Sequence, residues 1–361
     1  MNKRRLKKLI KRLRHLPQGK YFFKYALNKV KHLYYKLTKS TKVAYPSTVM
    51  LELSSHCNLK CTTCPREYGY GASMFKGYMP VEKAKSIIDE LWPYLDSIGL
   101  TGMGETFLYD DLLTVVDYIK TKNKGIIISV STNAVIPNFI GKITPFVGKI
   151  DTVQISIDGI GDVYETIRHN SSFDTLDKNL TQLVSLFKNT ETTFMLNMVV
   201  TKENYKQMSE MVAYAETKGI KYLNYTLFNL ASVTDIPIAY YDFYSSPEFI
   251  HELKLLDITR AKIKNVEISN WDYDSLNEFQ KCNLPWSHFA ICANGDLPPC
   301  CAKPFPEELN FGNVLEEGVL TVLNAPKFQR FRASWYKNQT PPFCEKCHFI
   351  DLKPVKYTEE E

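Results

Sequence analysis

From Pro46 onward the chain alternates short apolar runs with amphipathic stretches, and that alternation limits the folds open to it. The apolar runs are Val49–Leu53, Ser97–Thr101, Ile126–Ser131, Val153–Ile157, Phe194–Val200 and Tyr222–Phe228. Helical patterns occupy 81–95, 110–121, 134–144, 173–188 and 203–217 between them. Strands alternating with helices argue for parallel βαβ units. Six such units predict an α/β fold, a partial (β/α)6 TIM-like barrel short of the eight of a closed one; a doubly wound sheet satisfies the pattern as well. In either architecture the functional residues gather at the C-terminal ends of the strands.

The segment before Pro46 has a different character. Residues 1–51 hold 15 Lys/Arg and no acidic residue, leaving 30 basic against 39 acidic residues for the rest. Leu6, Leu9, Ile10, Leu13 and Leu16 fall at helical spacing among the lysines and arginines until Pro17-Gln18-Gly19 breaks the helix. A second stretch carries Phe22, Phe23, Leu27, Val30, Tyr34 and Leu37. Such a basic amphipathic arm suits an anionic membrane surface; packing on the body is the plainer alternative, and nucleic-acid contact is the least favoured of the three. No apolar run approaches the roughly 18–20 residues of a membrane span. The chain reads as cytoplasmic, with peripheral attachment through the arm as one of the options it leaves open.

Composition otherwise sits near globular averages, and 361 residues bury enough surface to fold without disulfides. The expected plan is an arm over 1–45, a barrel over 46–265, and a segment over 266–361 rich in Gly, Pro and Cys, of the kind that a metal holds together.

All nine cysteines lie in two groups, separated by 217 residues without one. Cys57, Cys61 and Cys64 follow the first strand as C-x3-C-x2-C. Three thiolates on one loop hold three irons of a [4Fe–4S] cubane and leave the fourth open to a ligand. Zinc is the rival, with His56 as an awkwardly adjacent fourth ligand. The second group is Cys282, Cys292, Cys300, Cys301, Cys344 and Cys347. In such a chain these clusters read as metal sites before disulfides.

The C-x3-C-x2-C loop after the first strand of a βα barrel resembles that of the radical S-adenosylmethionine (SAM) superfamily. Gly102-Met103-Gly104-Glu105 ends the second strand, where that family carries its glycine-rich motif for the methionine amino group. Ser156-Ile157-Asp158-Gly159 and then Tyr164 to Arg168 are similar to the segment that approaches the ribose and carboxylate of SAM. Asn197 to Thr201 falls near the adenine side. The resemblance implies cofactor contacts from Gly102, Gly104, Glu105, Ser156, Asp158 and Arg168. Two departures stand out: Thr63 replaces the aromatic residue that commonly precedes the third cysteine, and Thr106 replaces the proline that often follows the glycine-rich motif.

The spacing from Cys282 through Gly295 to Cys300, then Gly312-Asn313-Val314, a helix over Leu320–Phe328 and Cys344-x2-Cys347, resembles a SPASM auxiliary-cluster domain in its shorter "twitch" form. This implies a second [4Fe–4S] cluster on Cys282, Cys300, Cys344 and Cys347, with Cys292 and Cys301 left over. Four thiolates suit zinc equally well.

The family's chemistry cleaves SAM with one electron from a low-potential donor such as flavodoxin or ferredoxin, giving a 5′-deoxyadenosyl radical that abstracts hydrogen from substrate. An auxiliary cluster with no open iron implies an acceptor for a second electron, hence an oxidoreductase. The twitch pattern is similar to that of an aminocyclitol dehydrogenase, which makes a sugar-like or small polar metabolite the first expectation. The second is a ribosomal peptide maturase, although 45 residues leave little room for a leader-binding domain. A zinc-stabilised binding protein without enzymatic activity is the third. No general base is identified; Glu52, Asn197 and Tyr225 are strand residues that could face the interior.

Overall fold

Alternate apolar positions of each strand give it one face to bury, and the amphipathic helices supply the matching surface. The computed structural model describes residues 3–233, 235–269, 282–337 and 339–347. Six strands follow one another in a single sheet: β1 (Thr48–Leu51), β2 (Ser97–Leu100), β3 (Ile127–Thr132), β4 (Thr152–Ser156), β5 (Thr193–Val200) and β6 (Tyr222–Leu227). Two short strands extend it, β7 (Glu267–Ser269) beside β6 and β8 (Phe289–Ile291) beside β1. The order is therefore β8-β1-β2-β3-β4-β5-β6-β7, every neighbouring pair parallel, and the ends do not pair with each other among the described residues. This is the open barrel expected from six βα units. The two added strands were not legible as apolar runs.

Leu51, Leu100, Val130, Val153, Leu196 and Leu223 face the helical layer and are fully buried there. Each contributes roughly 1.5–3 kcal/mol of hydrophobic stabilisation. The alternate residues Gly99, Ser129, Gln154, Asn197 and Asn224 are small or polar and only partly covered. The concave face is thus polar.

Two expected helices differ from the sequence pattern. The stretch 134–144 is helical only over Phe139–Ile143, because Pro137 and the left-handed Asn138 (φ 53°) precede it. The expected Leu320–Phe328 helix is two, Val319–Leu323 and Pro326–Tyr336, divided where Pro326 withholds an amide.

The arm forms α1 (Lys3–Arg14) and α2 (Lys20–Leu37). It is fastened to the edge of the sheet from which the strands start. Arg12 donates to Asp96 at 2.8 Å, immediately before β2, and Lys11 pairs with Asp151, immediately before β4. Tyr25 and Lys29 also reach Asp96, and Asn28 exchanges hydrogen bonds with the Tyr45 backbone. No helix among the described residues is long and apolar enough to cross a membrane.

Candidate active site

The first cysteine loop lies at the C-terminal end of β1, with the loops after β2, β3 and β4 around it. Cys61 is buried, and Cys57 and Cys64 are partly covered. A two-residue antiparallel ladder pairs Lys60-Cys61 with Arg168-His169, and Thr62 N donates to Ile167 O at 2.8 Å. The loop is therefore tied to the segment that follows β4. Burial pushes the Cys61 thiol up to about 12 and the Cys64 thiol up to about 11, while charge from Arg168 pulls both back and Arg66 also lowers Cys64. Among the described residues no three His, Cys, Asp or Glu side chains converge on a single ion. The His56 ring, the sequence's candidate fourth zinc ligand, packs against Tyr78 at 4.8 Å between centroids.

Gly102 and Gly104 sit where nothing larger fits. A Cβ on Gly104 would lie 2.3 Å from Ser54 O and 2.6 Å from His56 O. One on Gly102 would lie 2.3 Å from Glu52 Oε1 and 2.6 Å from Glu52 Cβ. The glycines thus let the β2 loop press on the cysteine loop and on Glu52. That is a packing reason, additional to the ligand approach read from the sequence.

Glu105 is buried, and its carboxylate accepts from Phe107 N at 3.1 Å, Thr132 Oγ1 at 2.7 Å and Asn133 N at 2.7 Å. Of roughly four acceptor positions on a carboxylate, one remains. Asp158 is completely buried, and its Oδ2 accepts from Arg168 at 2.8 Å while Oδ1 accepts from Val199 N at 2.8 Å. Arg168, expected to meet a ligand carboxylate, thus already holds one within the protein. Thr63, one of the departures from the family pattern, also reaches Asp158 Oδ2 at 3.4 Å. Ser156 closes β4 on the concave face, partly covered, in register with Asn197.

Two residues here escaped the sequence reading. Asn133, after β3, donates to Asn58 Oδ1 at 2.9 Å and lies 3.9 Å from Cys57 Sγ. The rule that function gathers at strand ends could have found it, since β3 was the one early strand given no motif. Arg66 is buried beside the thiols, and its Nε, like that of Arg168, has no hydrogen-bond partner among the described residues. Two guanidinium charges facing three thiols fit an anionic cluster.

None of the suggested general bases is free in the interior. Glu52 accepts from Met103 N at 2.7 Å and Ala293 N at 3.1 Å, joining the β2 loop to the cysteine-rich segment. Tyr225 points outward and donates to Met208 O on the helical side. Asn197 faces inward but accepts from Asn224 at 2.6 Å.

In the C-terminal segment, Cys282, Cys300, Cys344 and Cys347 line one small enclosed cavity. Asn229 and Ala231, from the loop after β6, line the same cavity, and Asn229 donates to Ala302 O at 3.0 Å. Buried Lys303 also lines it, held by Glu308 at 2.7 Å and by Phe343 O at 2.9 Å. Burial pushes the Cys300 and Cys344 thiols well up, and the neighbouring thiols add to it. Cys301 and Cys292 do not line the cavity; the Cys292 thiol instead faces Pro304 O at 3.8 Å.

An open parallel barrel with a three-cysteine loop after its first strand defines the class of protein. The radical SAM superfamily model matches residues 51–215, and the model of an iron–sulfur cluster-binding domain, SPASM, matches 282–348. The chain belongs to the radical SAM enzymes that carry a SPASM domain. Its cofactors are accordingly a [4Fe–4S] cluster, SAM and an auxiliary iron–sulfur cluster.

The antilisterial bacteriocin subtilosin biosynthesis protein AlbA of Bacillus subtilis is 22% identical over 325 residues, 85% of this chain and 65% of AlbA. The chain thus spans just under two thirds of that relative. A cofactor-modifying protein for the tungsten-containing aldehyde ferredoxin oxidoreductase of Pyrococcus furiosus is 25% identical over 83% of this chain and 87% of its own length. Among solved structures, Streptococcus suis SuiB bound to SAM superimposes with a TM-score of 0.66 at 17% identity, over 96% of this chain and 81% of SuiB. SuiB has also been solved bound to precursor peptide SuiA, again with a TM-score of 0.66, at 18% identity over 90% of this chain and 74% of SuiB.

Proposed function

We propose that this enzyme modifies a peptide, abstracting hydrogen from a residue held at the mouth of the barrel and passing an electron to the auxiliary cluster. The observation that carries the reading is the match, over 85% of this chain, to a bacteriocin biosynthesis protein. It favours the second substrate class read from the sequence over a sugar-like metabolite. SuiB, which shares the fold, was solved with a precursor peptide and supports the same class.

Cys57, Cys61 and Cys64 would hold the cluster whose open iron takes SAM, and Cys282, Cys300, Cys344 and Cys347 the auxiliary one. When bound, these groups supply the one-electron chemistry that removes a hydrogen atom from an unactivated C–H bond. The chain's own part is to position and to shield. Gly102 and Gly104 keep the β2 loop seated on the cysteine loop, and Glu105 keeps one acceptor position for an ammonium. The Asp158–Arg168 pair fixes the segment after β4 against Cys61. Arg66 and Arg168 place positive charge beside the thiolates, and a low-potential flavodoxin or ferredoxin would deliver the electron. Exposed Tyr70, Phe75 and Tyr78 lie on the loop downstream of the cysteines and offer apolar contacts to a peptide.

The test is to incubate reconstituted protein with SAM, dithionite and a panel of short candidate precursor peptides. A mass change in a peptide, matched by 5′-deoxyadenosine release, is expected. Release driven by aminocyclitols, with the peptides unchanged, would overturn the reading.

A further inference from the structure

An amphipathic helix packed on a protein normally turns its apolar stripe inward. The arm does the reverse. Phe23, Leu27, Val30, Tyr34 and Leu37 follow one another at intervals of four, three, four and three residues along α2, and all are at least 57% exposed. The side facing the body is polar: Tyr25, Asn28, Lys29 and His32 make the hydrogen bonds to Asp96 and Tyr45. Leu9 and Leu13 of α1 are exposed as well. Among the described residues, eleven of the eighteen exposed large apolar side chains belong to the arm. This is a concentration, not the usual scatter.

Charge decides what covers the stripe. Lys24 and Lys31 flank it, both exposed, and residues 1–51 offer no carboxylate to neutralise them. The arm of a second copy would set lysines against lysines, so the charge calls for an anionic occupant. A row of separate apolar side chains set among lysines on an 18-residue helix, about 27 Å long, matches an interfacial helix lying in a headgroup layer. We propose that the arm binds the surface of an anionic lipid bilayer through this stripe.

The mounting of the arm fixes the orientation. It is clamped to Asp96 and Asp151, at the starts of β2 and β4, while the cysteine loop and the loops around it lie at the opposite ends of the strands. Bound this way, the enzyme turns its mouth away from the bilayer and receives substrate from solution. The notion of a lipid-linked substrate, which a basic arm invites, does not follow.

Flotation of the full-length reconstituted protein with vesicles of phosphatidylcholine and phosphatidylglycerol, against phosphatidylcholine alone, tests this. Binding to the anionic vesicles that weakens with salt is expected, with a drop of about tenfold or more for Leu27→Ser/Tyr34→Ser. SAM cleavage and helix content should match the parent, which separates lost binding from lost fold. Hydrogen exchange on vesicles should protect 20–37 and leave 65–78 unchanged. Absence of parent binding at low salt, or a light-scattering dimer that the same variant dissolves, would overturn the lipid assignment. Protection of 65–78 would overturn the orientation. The outcome is independent of the peptide reading, since no substrate enters the experiment.

Discussion

Arg168 donates to the Oδ2 of Asp158 across 2.8 Å, in a place where Asp158 has no solvent exposure and Arg168 very little. The pair links the segment after β4 to β5, because Asp158 Oδ1 also accepts from Val199 N, and to the cysteine loop, because Arg168 pairs with Cys61 in the short ladder. Removing one partner leaves a buried charge without compensation, which typically costs about 3–5 kcal/mol. Asp158→Asn should therefore lower the denaturant midpoint sharply and reduce cluster retention. A variant with unchanged midpoint and iron content would show the pair to be dispensable.

The three glycines of β2 and its loop separate packing from propensity. A Cβ at Gly104 meets backbone atoms that cannot rotate away, whereas one at Gly99 meets Ser129 Oγ at 3.5 Å, Thr101 at 3.6 Å and Val49 O at 3.9 Å, ordinary contact distances. Gly104→Ala should cost roughly 1–3 kcal/mol and disturb the cysteine loop, while Gly99→Ala should fall within about 0.5 kcal/mol of the parent. Thermal unfolding of the two variants side by side checks this. Equal behaviour would mean that the β2 loop is not seated as described.

Asp96 gives the arm a pH dependence. Burial pushes its carboxyl up, but hydrogen bonding and charge from Lys29, with help from Tyr25 and Arg12, outweigh burial and leave it below its ordinary value. A carboxylate whose folded value is lowered contributes stability that is complete above its unfolded value, near about 3.9, and disappears as pH falls through the lower folded value. The arm should stay docked at neutral pH and loosen only below about pH 4. Asp96→Asn should loosen it at neutral pH. Limited trypsin cleavage within residues 11–36, faster in the variant than in the parent, reads this directly; equal rates would remove Asp96 as the clasp.

How much of this was readable from sequence varies with the range of the interaction. The six strands were legible because their apolar runs report burial locally. β7 and β8 were not, since three residues such as Glu267–Ser269 carry no pattern and join the sheet only by pairing with β6. The cysteine spacing was legible for the same local reason, and so was the chemistry it implies. Partners were not: Arg168 meets Asp158, Glu105 meets Thr132 and Asn133, and Glu52 meets Ala293, 241 positions away. A motif names the residue type that a site needs, whereas which acceptor is already occupied depends on contacts made only in the fold. The arm shows the same limit. Its amphipathic spacing was plain, but that its apolar side faces outward follows from Asp96 and Tyr45.

The proposed chemistry requires two clusters in one chain. Iron, sulfide and the visible spectrum of anaerobically reconstituted protein test it most directly, with Cys300→Ala/Cys344→Ala measured beside the parent. About eight irons are expected in the parent and about four in the variant, with two cubane clusters reduced to one. Zinc at the C-terminal site, or equal iron in both proteins, would contradict it.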